Sequence, residues 1–101
     1  RSAQIEARMT LALVLTQARA DAIAGAATTR VSWSPARRTL QSSSGRPDRI
    51  LPPQASLEWP EQGFVFFADG TALGGVGAIR TTGRGVQFFV DPATSQIVFK
   101  P

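Results

Sequence analysis

The sequence predicts an α+β fold in which one long N-terminal α-helix packs on an antiparallel β-sheet. Three observations support this prediction. Apolar residues recur at helical spacing over the first quarter of the chain, the period changes to two after Gly25, and turn signals then separate several short apolar runs. The chain has 101 residues, of which 43% are hydrophobic and 18% are charged, so it is long enough for one core. We therefore expect a single globular domain over residues 1–101.

Residues 3–24 are predicted to form the helix because apolar residues recur there at i, i+3 and i+4 spacing. The residues that share this side, and that we expect to face the sheet, are Ile5, Met9, Ala12, Leu13, Thr16, Ala20 and Ile23. The polar side, expected to face solvent, consists of Glu6, Thr10, Gln17 and Asp21. Four further residues widen the apolar surface, as is typical of a helix laid across a sheet: Leu11, Leu15, Ala18 and Ala22. Gly25 is expected to end the helix in the left-handed conformation.

The β-rich part of the chain is expected to span residues 28–101. Alternation of apolar and polar residues around Val31 and Trp33 predicts the first strand, which ends at Pro35. Later strands are predicted at 55–59, 64–67, 74–80, 86–90 and 97–99, because each is an apolar run bounded by turn residues. The C-terminal half is therefore expected to be an antiparallel meander.

Residues 35–54 are predicted to form a long loop. This segment contains four prolines, a serine run and few apolar residues. Such a composition gives little apolar surface to bury, so we expect the loop to be mobile or weakly packed, with at most one short edge strand.

The composition argues against an enzyme. The chain has no cysteine and no histidine, which removes disulfides, thiol chemistry, the usual zinc ligands and imidazole catalysis. The carboxylates of Asp69 and Asp91 each stand in a turn sequence, which explains them without an acid/base role. The glycines of 75–80 lack both the third glycine and the following helix of a nucleotide-binding loop. We predict no catalytic residue, no cofactor and no metal.

The charge balance leaves an anionic partner conceivable. Net charge is +4, from ten arginines and one lysine against seven carboxylates. The arginines are spread along the chain, and the four that cluster are the candidate contacts for a partner or an anion: Arg37, Arg38, Arg46 and Arg49. A solvated basic face is the favoured explanation, because the arginines form no dense tract. The aromatic side chains that could stack on nucleic-acid bases alternate with polar residues, which favours a place in the core: Trp33, Trp59, Phe88 and Phe89.

No run of eighteen apolar residues is present, so the sequence predicts no membrane-spanning segment. The first residue is Arg and the sequence begins within the predicted helix. We therefore expect this chain to be part of a longer protein.

Three segments, in order, resemble a known family. Residues 15–23 contain Ala18-Arg19, followed at the expected distance by Ala22-Ile23. Residues 66–75 contain an aromatic pair, then Asp-Gly and Gly-Gly. Residues 90–98 resemble a closing hairpin with Val-Asp, Thr and Val at matching places. Together they are similar to the H-type minor pseudopilins of the bacterial type II secretion system, a group related to the minor pilins of type IV pili. Ala68 stands where proline is common, and Ser95 replaces a hairpin glycine that usually supplies a positive φ.

The resemblance implies a type IV pilin-like roll and a structural role. It implies an upstream leader peptide and an apolar helix half, anchored in the bacterial inner membrane with the globular domain in the periplasm. Expected partners are other minor and major pseudopilins near the tip of the pseudopilus, with the outer-membrane channel and exported substrates as further candidates. Nucleic acid is not an expected partner. The alternative that the sequence leaves open is a minor type IV pilin whose arginines bind DNA or a surface ligand.

Overall fold

The computed structural model describes residues 2–100, and it confirms the predicted α+β fold: one N-terminal helix packs on antiparallel β-structure. Helix α1 spans Ala3–Gly25. The strands are β1 (Thr29–Ser34), β2 (Thr39–Ser42), β3 (Arg49–Ile50), β4 (Ser56–Glu58), β5 (Phe64–Phe66), β6 (Ala72–Leu73), β7 (Val76–Thr81), β8 (Arg84–Val90) and β9 (Ile97–Lys100).

The strands form two sheets, where the sequence predicted one. The first has the order β3-β2-β1-β5-β6 and the second the order β4-β7-β8-β9, and every pairing is antiparallel. The chain leaves the first sheet at Gly74-Gly75, between β6 and β7. A Cβ at Gly74 would overlap the ring of Phe64, so glycine lets the chain pass close to the core at this crossing. The predicted meander is confirmed only for β7, β8 and β9.

The segment 35–54 is more structured than the sequence predicted. It contains β2 and β3, and β2 pairs with β1 in the register Trp33↔Leu40. Leu40 and Leu51 are 1% and 2% exposed, which makes them part of the core. The expectation of a weakly packed loop is therefore wrong for these positions. One apolar side chain in a four-residue strand gives no alternation to detect, which is why the sequence did not reveal β2.

The side of α1 that the sequence predicted to face the sheet is exposed, whereas the four residues predicted to widen the apolar surface, Leu11, Leu15, Ala18 and Ala22, are buried. The buried residues of the helix are Ala7, Leu11, Val14, Leu15, Ala18 and Ala22. All but one of the residues expected to face the sheet are exposed, and Ala12 is half-buried. Both sides carry apolar residues at helical spacing, so periodicity alone could not distinguish them. Alanines at three of the buried positions leave room for the bulkier strand side chains that pack against the helix.

The helix ends are capped by local hydrogen bonds. The Ser2 hydroxyl accepts from the Ile5 N–H at 3.2 Å. At the other end the left-handed residue is Ala26, with φ 49°, and not Gly25, which still belongs to the helix. The Ala27 N–H reaches back to the Ala22 carbonyl at 3.1 Å, the pattern of a Schellman motif.

An aromatic cluster links the two sheets beneath α1. Phe64 of β5 and Phe88 of β8 are fully buried, with ring centroids 5.6 Å apart. Trp59 packs edge-on against Phe64, and its indole N–H donates to the Val31 carbonyl at 3.0 Å. Gly77 permits this packing, because a Cβ there would overlap the Phe88 ring. The prediction that the aromatic residues belong to the core holds for Phe88, and Trp59 packs against that core.

Candidate functional site

The main surface feature is a solvent-exposed apolar stripe on the face of α1 that lies opposite its buried face. Its large side chains are Ile5, Met9, Leu13 and Ile23, with exposed fractions of 50%, 55%, 41% and 43%. Thr16 and Ala20, also exposed, continue the stripe between Leu13 and Ile23. We call this set the helix stripe. A helix that covers a core on one side and presents large apolar side chains on the other is able to contact a second structure.

The two flanks of the helix stripe differ in charge. Arg8 and Arg19 lie on one flank, and Glu6 and Asp21 lie on the other. Within residues 2–100, Arg8, Arg19 and Glu6 form no ion pair. The Arg8 guanidinium lies over the ring of Phe99, 4.6 Å from its centroid. The stripe is therefore bordered by a basic and an acidic edge.

The Asp21 carboxylate ties the C-terminal half of α1 to the segment after β2. Arg46 donates to it through Nε at 2.7 Å and Nη2 at 2.9 Å, and the Ser44 hydroxyl donates at 2.8 Å. The hydrogen bonds from Arg46, and then that from Ser44, lower the pKa of the Asp21 carboxyl. This contact ties the side chains of Ser44 and Arg46 to the helix, within a stretch that is otherwise exposed.

The four clustered arginines do not form one anion site. The Arg38 guanidinium donates to the carbonyls of Pro52 and Ala55, and Arg46 is held by Asp21. Arg37 and Arg49 are exposed. Two of the four therefore hold the chain's own segments in place.

The carboxylates considered in the sequence analysis have local roles in turns. Asp69 accepts from the Thr71 hydroxyl at 2.6 Å and from the Thr71 N–H at 3.0 Å, and these bonds lower the pKa of Asp69. Asp91 accepts from the backbone N–H groups of Ala93 and Thr94. Across residues 2–100 no group of three or more potential metal ligands comes together.

A second surface feature is a groove of about 440 Å³ between α1 and β9. Its helix side consists of Ala12, Thr16 and Arg19, and its strand side of residues 94–97 and Phe99. The sequence analysis did not identify this groove or its arginines. In the sequence, the groove could be inferred only from Arg8 and Arg19, which lie eleven positions apart on one flank of the helix. Any solvated helix can show such a pattern, so it does not indicate a groove.

Compared with models of protein families, with curated proteins and with solved structures, the chain has no match. In the part of the chain that the structure describes, no helix is both long and apolar enough to span a membrane.

Proposed function

We propose that this chain is a structural assembly subunit, and that it acts as a minor pseudopilin of a type II secretion system. The observation that carries the proposal is the helix stripe. Burying one large apolar side chain contributes roughly 1.5–3 kcal/mol. The stripe presents four large apolar side chains that are each about half exposed, and burial of their remaining surface together would exceed the effect of any isolated surface charge on this molecule.

The proposed occupant of the helix stripe is the helix of a neighbouring pseudopilin, running parallel to α1. The charged flanks support this orientation, provided that the neighbouring helix carries the same pattern. Two parallel helices that face each other through the stripe bring the basic flank of one, with Arg8, against the acidic flank of the other, with Glu6. An antiparallel pair related by a two-fold axis would instead bring like flank against like flank, which is unfavourable.

The resemblance supplies the rest of the proposal. It supports a place near the pseudopilus tip, with other minor and major pseudopilins as partners, and with the outer-membrane channel and exported substrates as further partners. It also supports an inner-membrane anchor with this domain in the periplasm. The positive φ of Ser95, 62°, agrees with a hairpin position where the family usually has glycine.

The test uses the absence of cysteine from this chain, which makes any introduced cysteine unique. We expect Leu13→Cys to form disulfide cross-links with a cysteine placed on the exposed helix face of a partner pseudopilin. The matched control is Arg84→Cys, which is exposed but lies on β8, away from the stripe. The proposal would be contradicted by equal cross-linking at both positions. It would also be contradicted if the Leu13→Cys variant of the full-length protein is inserted and folded but forms no cross-link.

The alternative, a DNA-binding pilin, is tested by salt and by substitution of the four clustered arginines. Phosphate contacts release counterions, so DNA binding should weaken steeply as salt increases. The alternative would be established by micromolar DNA binding at physiological salt that is lost when four arginines are replaced with Ala while cross-linking persists. These arginines are Arg37, Arg38, Arg46 and Arg49. We expect no such binding.

A further inference from the structure

Strand β9 forms an open edge of the second sheet. Among the described residues its one partner in that sheet is β8, in the register Val90↔Ile97 and Phe88↔Phe99. The hairpin closes with a bond from the Asp91 N–H to the Gln96 carbonyl at 2.8 Å. Antiparallel pairs alternate between bonded and non-bonded residues, so the backbone groups of Ile97 and Phe99 point away from β8. The hydrogen bonds described for residues 2–100 include none from another segment to this edge.

The groove beside α1 runs along this edge. Arg8 stands at one end, over Phe99. Arg19 stands at the other end, where it lines the groove with Ser95 and lies beside the Gly70 turn. Ser95 is itself fixed there, since its buried hydroxyl donates to the Gly70 carbonyl. The groove thus has the outward-pointing backbone groups of Ile97 and Phe99 along its length, Arg19 in its lining at one end and Arg8 just beyond the other, and neither arginine has an ion pair within residues 2–100.

We infer that this groove binds an extended acidic segment of a partner protein, which adds a strand to the second sheet beside β9. Main-chain hydrogen bonds to Ile97 and Phe99 would supply the pairing, and carboxylates of the segment would meet Arg8 and Arg19. The net charge of +4 favours an acidic partner over a neutral one. This inference goes beyond the assembly role; the two sites share Thr16 and Arg8, so the groove is tested on the isolated chain, where no neighbouring helix covers the stripe.

The spacing of the two arginines sets the spacing of the carboxylates. Eleven positions along a helix correspond to about 16 Å. Residues on the same face of a strand recur at even intervals, and two residues four apart are separated by about 13 Å. Because arginine side chains are long, they bridge the remaining distance. The segment should therefore carry two acidic residues four positions apart, with a small apolar residue midway that faces Ala12.

The probe for the test is a synthetic peptide of alternating threonine and valine in which two glutamates are placed four positions apart. We expect the peptide to bind the folded chain in a titration followed by fluorescence anisotropy. Replacing both glutamates with glutamine, or separating them by three positions so that they face opposite sides, should weaken binding by about threefold to tenfold.

Two modifications separate strand addition from simple charge attraction. Methylation of the peptide amides that pair with β9 should weaken binding by about tenfold, whereas methylation of the alternate amides should leave it unchanged. The double substitution Arg8→Gln and Arg19→Gln should weaken binding about threefold to tenfold, while Arg37→Gln with Arg49→Gln, which removes the same charge at exposed positions elsewhere, should not.

Circular dichroism and thermal unfolding of both double variants show whether each is folded before the titration. Absence of binding to the folded parent chain overturns the inference. So does binding that is indifferent to amide methylation, or binding that both arginine pairs weaken equally, because either result indicates non-specific attraction to a basic surface. Helix-stripe cross-linking is measured independently, so failure of this inference is distinguishable from failure of the proposed assembly role.

Discussion

Leu13 and Leu15 are two residues apart on α1 and face opposite environments. Leu15 is 1% exposed, and Leu13 is 41% exposed. We expect Leu15→Ala to lower the free energy of unfolding by about 2–5 kcal/mol, because a buried cavity is left behind. Leu13→Ala, the same chemical change on the helix stripe, should stay within about 0.5 kcal/mol of the parent. Denaturant unfolding of the two variants provides the measurement, and equal losses would mean that the stripe is covered in the isolated chain.

Ala26 adopts a backbone conformation that an L-residue with a side chain disfavours. Its φ of 49° places it in the left-handed region at the end of α1, a position that glycine occupies at least cost. Ala26→Gly should therefore raise the free energy of unfolding, by about 0.5–1 kcal/mol. Gly25→Ala is the companion variant: Gly25 belongs to the helix, and a Cβ there would meet no atom within 4 Å. A destabilised Ala26→Gly variant would show that the C-terminal cap differs from the one described.

Along α1 the sequence predicted the extent of the helix correctly, because that is a local property, and its buried side wrongly, because that depends on tertiary packing. It located the helix within one residue of its end, because helical periodicity and flanking turn residues are local properties. It placed the centre of the buried face on the wrong side of the helix, because that position depends on which face the sheets meet, and the smaller residues Ala7, Ala18 and Ala22 allow closer packing. The error has a functional consequence, since the side that was assigned to the core is the helix stripe.

At the scale of elements, the Asp21–Arg46 contact couples the helix to the segment between β2 and β3. The pKa of Asp21 is lowered from its ordinary value of 3.8 in the folded protein, chiefly by the Arg46 hydrogen bonds. A lowered folded-state pKa contributes stability that is complete above the unfolded pKa and is lost as pH falls through the folded value. We therefore expect the parent chain to be more stable than Asp21→Asn at neutral pH, and the difference to shrink below about pH 3.8.

Chemical unfolding of both proteins between pH 7 and pH 3 measures this effect. Arg46→Gln should reproduce the neutral-pH loss, and the double variant should add little to either single substitution, because both remove one contact. Losses that add fully would show that Asp21 and Arg46 act independently. Asp69, whose pKa is also lowered, is present in every protein compared and therefore cancels in the differences.

The segment 35–54 divides into an anchored part and an open part. Leu40, Leu51 and the Arg38 bonds hold its two ends, while residues 43–48 are exposed and lie outside any strand. A protease of broad specificity should cut first within 43–48 and leave 49–54 intact for longer. Trypsin is a poor choice, because Pro47 follows Arg46. First cleavage within 64–99 would contradict the assignment.

For the molecule as a whole, the sequence was sufficient for the fold class and insufficient for the division into two sheets. Strand positions follow from alternation and turn residues, which are read locally. Which strands pair depends on contacts between residues far apart in the chain, such as Val31 with Phe64, and on the narrow crossing at Gly74. The groove beside β9 has the same origin, because it exists only once Arg8 and Phe99 have come together.

The contact between the first element and the last strand also sets the timing of folding during synthesis. Helix α1 is complete at residue 25, but Phe99 is added only about 4–15 s later at a synthesis rate of roughly 5–20 residues per second. For most of that interval the buried side of the helix lacks its native neighbours in β5 and β7, while the helix stripe is exposed even in the folded chain. During synthesis the helix therefore exposes apolar residues on two faces, and we expect it to be bound by a chaperone or another holding factor until the sheets form. Ribosome-arrested chains that stop before residue 97 should crosslink to such holding factors more strongly than chains released after residue 100, in which only the helix stripe remains exposed.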